Sequence, residues 1–196
     1  MLQKSLRPAV TNLITPLCKA LIKIGVTADL VTLLGSLGSC LSAIYFFARG
    51  EFFIGTLIVT LFVLSDLLDG TIARLSNAGG TRWGALMDST LDRLTDSIIV
   101  ISLVMYFRTR DEVVSILLLI VLVTGFLISY IRARAEALGM DCSVGFAERT
   151  ERLIILLVGT GLYGLGLSFA LSVALWTLVG ASLLTIAQRM LAVRKR

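Results

Sequence analysis

Histidine is absent from this chain, which excludes imidazole both as a metal ligand and as a proton carrier and leaves carboxylates to do both jobs. Cysteine is sparse. Cys18, Cys40 and Cys142 stand far apart with no metal-ligand spacing, so they read as small buried residues. Only 16% of the residues are charged, whereas 57% are hydrophobic and the mean hydropathy is +0.93. A soluble domain does not tolerate that balance; a polytopic helical membrane protein does. The stretch Met1–Pro8 has no apolar core of signal-peptide type, so the protein is expected to stay in the membrane that receives it. The net charge of +5 would suggest nucleic acid in a soluble protein. Here orientation in a bilayer accounts for it, and no nucleic-acid partner is expected.

The runs of uncharged residues predict an all-α chain with six transmembrane helices, preceded by an amphipathic helix on the membrane surface. Residues 1–27 form the juxtamembrane segment and 28–196 the membrane domain. In the first segment Leu6, Val10, Leu13, Leu17, Leu21 and Ile24 recur at helical spacing, with Lys4, Arg7, Lys19 and Lys23 interleaved. Pro8 and Pro16 suit a start and a kink, so two short pieces fit equally well. Spans follow at about Leu30–Ala48, Phe52–Arg74, Gly84–Phe107 and Val113–Ile131, with Arg49-Gly50-Glu51 as a tight turn and a polar stretch from Arg132 to Arg152. The uncharged run Leu153–Gln188 would be about 54 Å long as one helix, nearly twice the hydrocarbon thickness. It must fold back, and Gly159, Gly161, Gly164 and Gly166 mark the turn. With this topology fourteen of the 18 Lys and Arg fall on one side. Arg49, Arg108 and Arg110 fall on the other, and Arg93 lies within the third span. Both termini and the acidic segment therefore belong on the cytoplasmic side of a cell membrane.

That acidic segment concentrates the chemistry. Asp66, Asp69, Gly70, Ala73 and Arg74 share one face of the second span, and Gly84, Asp88, Asp92 and Asp96 recur every four residues on the third. An intramembrane Asp costs roughly 2.5–3.5 kcal/mol on insertion scales, so four together need a reason. Two carboxylate pairs at matched depth make a cage for a hard cation, Mg²⁺ or Mn²⁺. The alternative is helix–helix glue, with the acids paired to Arg74, Arg82 and Arg93; for Asp96 that structural role, beside Arg93 or at a helix interface, is the favoured one. Gly70, Ala73 and Gly84 are small where a face admits a partner helix or a ligand. Arg74 beside such a cage suits a phosphate oxygen.

The pattern D-x-x-D-G-x-x-A-R, nine residues, then G-x-x-x-D-x-x-x-D is present at all eight fixed positions: Asp66, Asp69, Gly70, Ala73, Arg74, Gly84, Asp88 and Asp92. It resembles the signature of the CDP-alcohol phosphotransferases. The resemblance implies two metal ions held by Asp66, Asp69 and Asp88, with Asp92 as metal neighbour and general base. It also implies that Gly70, Ala73 and Arg74 face the CDP moiety, and that the enzyme is a homodimer. A second family feature, T-P-N-x-x-T, reads here Thr27-Ala28-Asp29-Leu30-Val31-Thr32. Asp29 then stands at a nucleotide-facing position, although a helix N-cap suits it equally well.

The stretches Ile128–Glu136 and Gly145–Ile154, with Gln188-Arg189, are similar to the actinobacterial phosphatidylinositol-phosphate synthases. That implies CDP-diacylglycerol as donor and inositol 1-phosphate as acceptor, giving phosphatidylinositol phosphate and CMP, with Arg132, Arg152 and Arg189 holding the acceptor phosphate. Glycerol 3-phosphate, also anionic, is the rival acceptor. Arginines also accumulate on a cytoplasmic face for topology alone. A cation transporter is the reading from another class, but it requires acids near the midplane, and Arg74 and Arg93 among them repel cations.

Overall fold

The computed structural model describes residues 14–76 and 81–194, and every regular element among them is helical. Residues 14–23 are helical, and the remainder of the expected surface helix, 3–13, lies outside the described residues. Seven α-helices follow: α1 (Ala28–Phe46), α2 (Phe52–Val63), α3 (Ser65–Leu75), α4 (Arg82–Phe107), α5 (Glu112–Ala137), α6 (Arg149–Gly164) and α7 (Ser168–Arg194). A 3₁₀ turn, Phe47–Arg49, closes α1 and ends at Gly50 in the left-handed conformation.

Among the described residues four stretches are long and apolar enough to cross a membrane: Ala28–Arg49, Phe52–Leu75, Glu112–Ala137 and Ser168–Arg194. The other two expected spans fall short for identifiable reasons. Helix α4 carries Asp88, Asp92, Arg93 and Asp96 within its first fifteen residues, and α6 has only 16 residues. The exteriors match a lipid solvent. Leu30, Leu33, Leu34, Leu37 and Leu41 of α1, and Phe169, Val173 and Trp176 of α7, are exposed, an apolar surface that water would penalise.

Contacts sort the chain into two compact units. One holds the described residues up to Leu41 together with Ile58–Thr95; the other holds Ser42–Leu57 and Asp96 onward. The first has an unusually polar interior, with Thr32, Ser39, Asp69, Thr71 and Thr95 all buried. The second span is divided there between α2 and α3 at Leu64. Leu64 N–H still donates to Thr60 O, but Leu67 N–H donates to Leu64 O at 3.1 Å, an i,i+3 bond that tightens the turn just before the acids.

The second unit has an apolar core built from Leu117, Leu118, Val121 and Ile128 of α5, Leu153, Leu156 and Leu157 of α6, and Leu171, Leu175 and Leu178 of α7. Helix α7 packs along both α5 and α6. The fold-back of the 36-residue uncharged run is where expected, at Leu165–Leu167, but only Gly164 and Gly166 border it. Gly159 and Gly161 lie inside α6 and are buried there. A Cβ on Gly159 would sit 2.4 Å from Ala174 Cβ, so this glycine sets the spacing of α6 and α7 rather than a turn. Replacing Gly159 with Ala should therefore force the two helices apart, at about 1–3 kcal/mol of overpacking. A melting temperature in detergent lowered by several degrees is the expected outcome; an unchanged value would show that the helices adjust freely.

Candidate active site

The acidic face predicted on α3 is formed. Asp69 is 7% exposed and Asp66 half-buried. Asp69 Oδ2 accepts a 2.6 Å hydrogen bond from the Thr32 hydroxyl, which also lies 3.0 Å from Ala28 O. The charges of Asp66 and Asp88 act on Asp69, so α3 and α4 do bring carboxylates from the two halves of the motif near one another. Asp88 and Asp92 are half-buried on α4, and Asp92 Oδ2 stands 3.8 Å from Arg93 Nη2. Among the described residues no three acidic or cysteine side chains converge on one point as a formed ion site. The donor set nonetheless suits a hard divalent cation. Every ligand type offered is a carboxylate oxygen, and a buried acid beside two others is costly unless positive charge is held among them.

Arg74 is exposed and folds back over its own helix. Its Nη2 donates to Thr71 Oγ1 at 3.0 Å, and its Nη1 lies 3.7 Å from where a Gly70 Cβ would be. Gly70 is thus the floor under the Arg74 guanidinium, and Ala73, half-buried, borders it. Gly84 has a different neighbour: a Cβ there would meet Asp29 Oδ1 at 2.9 Å and Thr81 Oγ1 at 3.1 Å. Of the two occupants its small size could admit, the structure shows another part of the protein, the first turn of α1. The N-cap expected of Asp29 belongs to Thr27 instead, whose Oγ1 accepts from Leu30 N–H at 3.3 Å. Both residue types can cap, and the chain turns one residue before Ala28, which selects Thr27. At the start of α4, Thr81 Oγ1 likewise accepts from Gly84 N–H at 2.9 Å.

Thr32 is the positioning residue that the motif alone did not disclose. Its single hydroxyl fixes Asp69 Oδ2 and so limits how the carboxylate can turn. Thr32→Val keeps the volume and removes the donor. It should weaken metal activation about tenfold, the lower end reported for such outer contacts, read as the Mg²⁺ or Mn²⁺ concentration giving half-maximal turnover. An unchanged metal requirement would make the hydrogen bond purely structural.

Asp96 has a structural partner at a helix interface, as expected of it. Arg149 Nε donates to Asp96 Oδ1 at 3.3 Å, tying α4 to the start of α6. The three arginines assigned to the acceptor diverge in environment. Arg132 is exposed and pairs with Glu136 one turn on at 2.8 Å, an exchangeable surface contact worth about 0.3–0.5 kcal/mol. Arg152 and Arg189 are 8% and 3% exposed. Arg152 Nη1 donates to Ala147 O at 2.7 Å, Arg189 Nε donates to Val144 O at 2.9 Å, and Arg189 Nη1 donates to Ile128 O. Buried guanidiniums held by backbone carbonyls keep their remaining N–H groups in fixed directions, which is how a site is made ready for an anion.

The family model described as CDP-alcohol phosphatidyltransferase matches residues 25–187. The phosphatidylinositol phosphate synthase of Streptomyces avermitilis is 42% identical over 205 residues, covering 100% of this chain and 83% of that protein. The enzyme of the same name from Mycobacterium tuberculosis (strain CDC 1551 / Oshkosh) is 43% identical over 189 residues, covering 94% and 87%. Crystal structures of a Mycobacterium tuberculosis phosphatidylinositol phosphate synthase superpose closely. One, in complex with manganese and citrate, has a TM-score of 0.87 at 43% identity, covering 92% of this chain and 88% of that one. Another, with CDP-DAG bound, also has a TM-score of 0.87 at 43% identity, covering 93% and 94%.

Proposed function

The chain belongs to the CDP-alcohol phosphatidyltransferase family, and from that premise we propose that it transfers the phosphatidyl group of CDP-diacylglycerol to inositol 1-phosphate, giving phosphatidylinositol phosphate and CMP. It is a metal-dependent transferase of phospholipid synthesis. The observation that carries the reading is the complete eight-position motif on a fold whose relative binds CDP-DAG. The acceptor rests on the name the relatives share and on the buried pair Arg152 and Arg189.

Asp66, Asp69, Asp88 and Asp92 are assigned to hold the divalent cation, Mg²⁺ or Mn²⁺, with two ions expected. When bound, the cation supplies Lewis-acid stabilisation of charge on the donor's diphosphate oxygens. Arg74 adds a guanidinium to those oxygens, with Gly70, Ala73 and Asp29 bordering the nucleotide. Asp92 accepts the proton of the acceptor hydroxyl as that oxygen bonds to the phosphorus carrying the lipid. The phosphorus–oxygen bond to CMP breaks, and CMP leaves with the bonding electrons. Arg132, Arg152 and Arg189 hold the acceptor's own phosphate and so orient its hydroxyl.

In the membrane, α4 and α6 complete six spans, since their polar ends can reach the interface. Residues 1–27 form the juxtamembrane segment, with Leu17 and Ile24, both exposed, turned toward lipid. Domain 28–196 carries the catalysis. The active site and both termini face the cytoplasm, and two copies form a homodimer.

The deciding assay is CMP release by purified protein from CDP-diacylglycerol with Mg²⁺ or Mn²⁺, with inositol 1-phosphate compared against glycerol 3-phosphate. Turnover with inositol 1-phosphate alone, abolished by chelator, is expected. Turnover with glycerol 3-phosphate alone would keep the donor chemistry and overturn the acceptor. Ion flux without CMP release would overturn both.

A further inference from the structure

Residues 138–148, which join α5 to α6, have no regular secondary structure, yet Cys142 and Ala147 within them are buried. Three side chains, one from α6 and two from α7, fasten this connection. Arg189 of α7 donates to Val144 O, Arg152 of α6 donates to Ala147 O, and Ala147 N–H donates to Thr185 Oγ1 at 3.0 Å. Thr185 is completely buried, and its hydroxyl donates in turn to Ala181 O at 2.8 Å. Its only donor and one of its two acceptor lone pairs are therefore used inside the protein. Between the two fastened carbonyls lies Gly145, at φ +128°, a conformation closed to other residues. A Cβ there would stand 2.5 Å from Thr185 Cγ2 and 3.5 Å from Arg189 Nε.

We infer that Thr185 and Gly145 are positioning residues for the acceptor: the threonine holds the 138–148 strap against α7, and the strap's carbonyls aim the guanidiniums of Arg152 and Arg189 at an anionic acceptor. Thr185 is one helical turn before Arg189 on α7, so the two share a face. The hydroxyl fixes Ala147, whose carbonyl is the acceptor for Arg152; Gly145 admits the strap close enough for Val144 O to reach Arg189 Nε. Neither residue is assigned to contact substrate. Each acts by limiting where an arginine can point, and an arginine already oriented loses less freedom when it binds phosphate. The inference rests on the acceptor reading above and adds the device that makes the arginine pair selective.

The test separates the two. Wild-type protein is first assayed with inositol 1-phosphate and with glycerol 3-phosphate; if neither supports CMP release, the acceptor reading fails before any variant is considered. With a working acceptor, Thr185→Val keeps the shape and deletes the acceptor of the Ala147 N–H bond. The Michaelis constant for the acceptor should rise about tenfold, the scale of a lost buried hydrogen bond, while that for CDP-diacylglycerol and kcat stay within about twofold. Thr185→Ser restores the hydroxyl and should restore the wild-type value. Gly145→Ala, whose added methyl presses the strap away from Thr185 while leaving the Thr185 hydroxyl in place, should reproduce the acceptor defect. Titration of the acceptor by calorimetry, with no donor present, should show the same loss for Thr185→Val and for Gly145→Ala. An unchanged acceptor constant in both variants overturns the inference. So does equal loss of donor affinity, acceptor affinity and kcat, which is the mark of general destabilisation.

Discussion

Asp92→Asn is expected to reduce turnover about a thousandfold while changing CDP-diacylglycerol binding by no more than about threefold. The side chain keeps its size and one oxygen but can no longer accept the proton of the attacking hydroxyl, and general base catalysis is worth roughly 10²–10⁴ in rate. Position matters as much as type. Asp92 sits nearly three turns into α4 with only 14% of its side chain exposed, and Arg93 Nη2 lies 3.8 Å from its Oδ2. Water is poorly placed to take over a proton there. Asp69→Asn should behave differently, because that carboxylate is buried and held by Thr32. Donor binding and turnover should fall together, and added metal should recover part of both. Single-turnover CMP release and equilibrium donor binding, measured on the same samples, distinguish the two patterns. Full activity in Asp92→Asn would remove it as the base.

Arg189→Ala should raise the acceptor's Michaelis constant about a hundredfold and also lower thermal stability. Truncation strips Val144 O and Ile128 O of their donors in a site 3% exposed. Hydrogen bonds to charged groups contribute about 1.5–3 kcal/mol each, and a factor of one hundred corresponds to about 2.7 kcal/mol. Arg189→Lys tests the geometry apart from the charge. A single ammonium cannot reach Val144 O and Ile128 O in two directions and still present donors to a phosphate, so the lysine variant should recover less than a tenth of the loss. Arg132→Ala supplies the contrast. Its guanidinium is exposed and already shared with Glu136, so the effect should be about threefold and shrink as salt is raised. Equal losses at both positions would mean that burial does not set their contributions.

The acidic motif was legible because covalent spacing and the helical period suffice to make it. Residues three and four apart share a face wherever the helix lies, so Asp66, Asp69, Gly70 and Arg74 group together whatever the fold around them. The apolar runs were legible for a similar reason, since lipid demands about twenty uncharged residues from any helix that crosses it. Glycines carried less. Gly159 and Gly161 look like turn residues beside Gly164 and Gly166, and only packing against Ala174 and Thr56 shows them to be spacing residues inside a helix.

The sequence by itself therefore determined the membrane class, the helical periodicity and the composition of the acidic face, all of which are properties of neighbours along one helix. Tertiary structure alone decided that Thr32 holds Asp69 across 37 positions, that Arg149 meets Asp96 across 53, and that Arg189 is anchored to Ile128 across 61. Any of several hydroxyls and guanidiniums could have made those bonds. Which ones do is settled by helix packing, because a buried polar group must pair with whatever donor or acceptor the fold brings within about 3 Å.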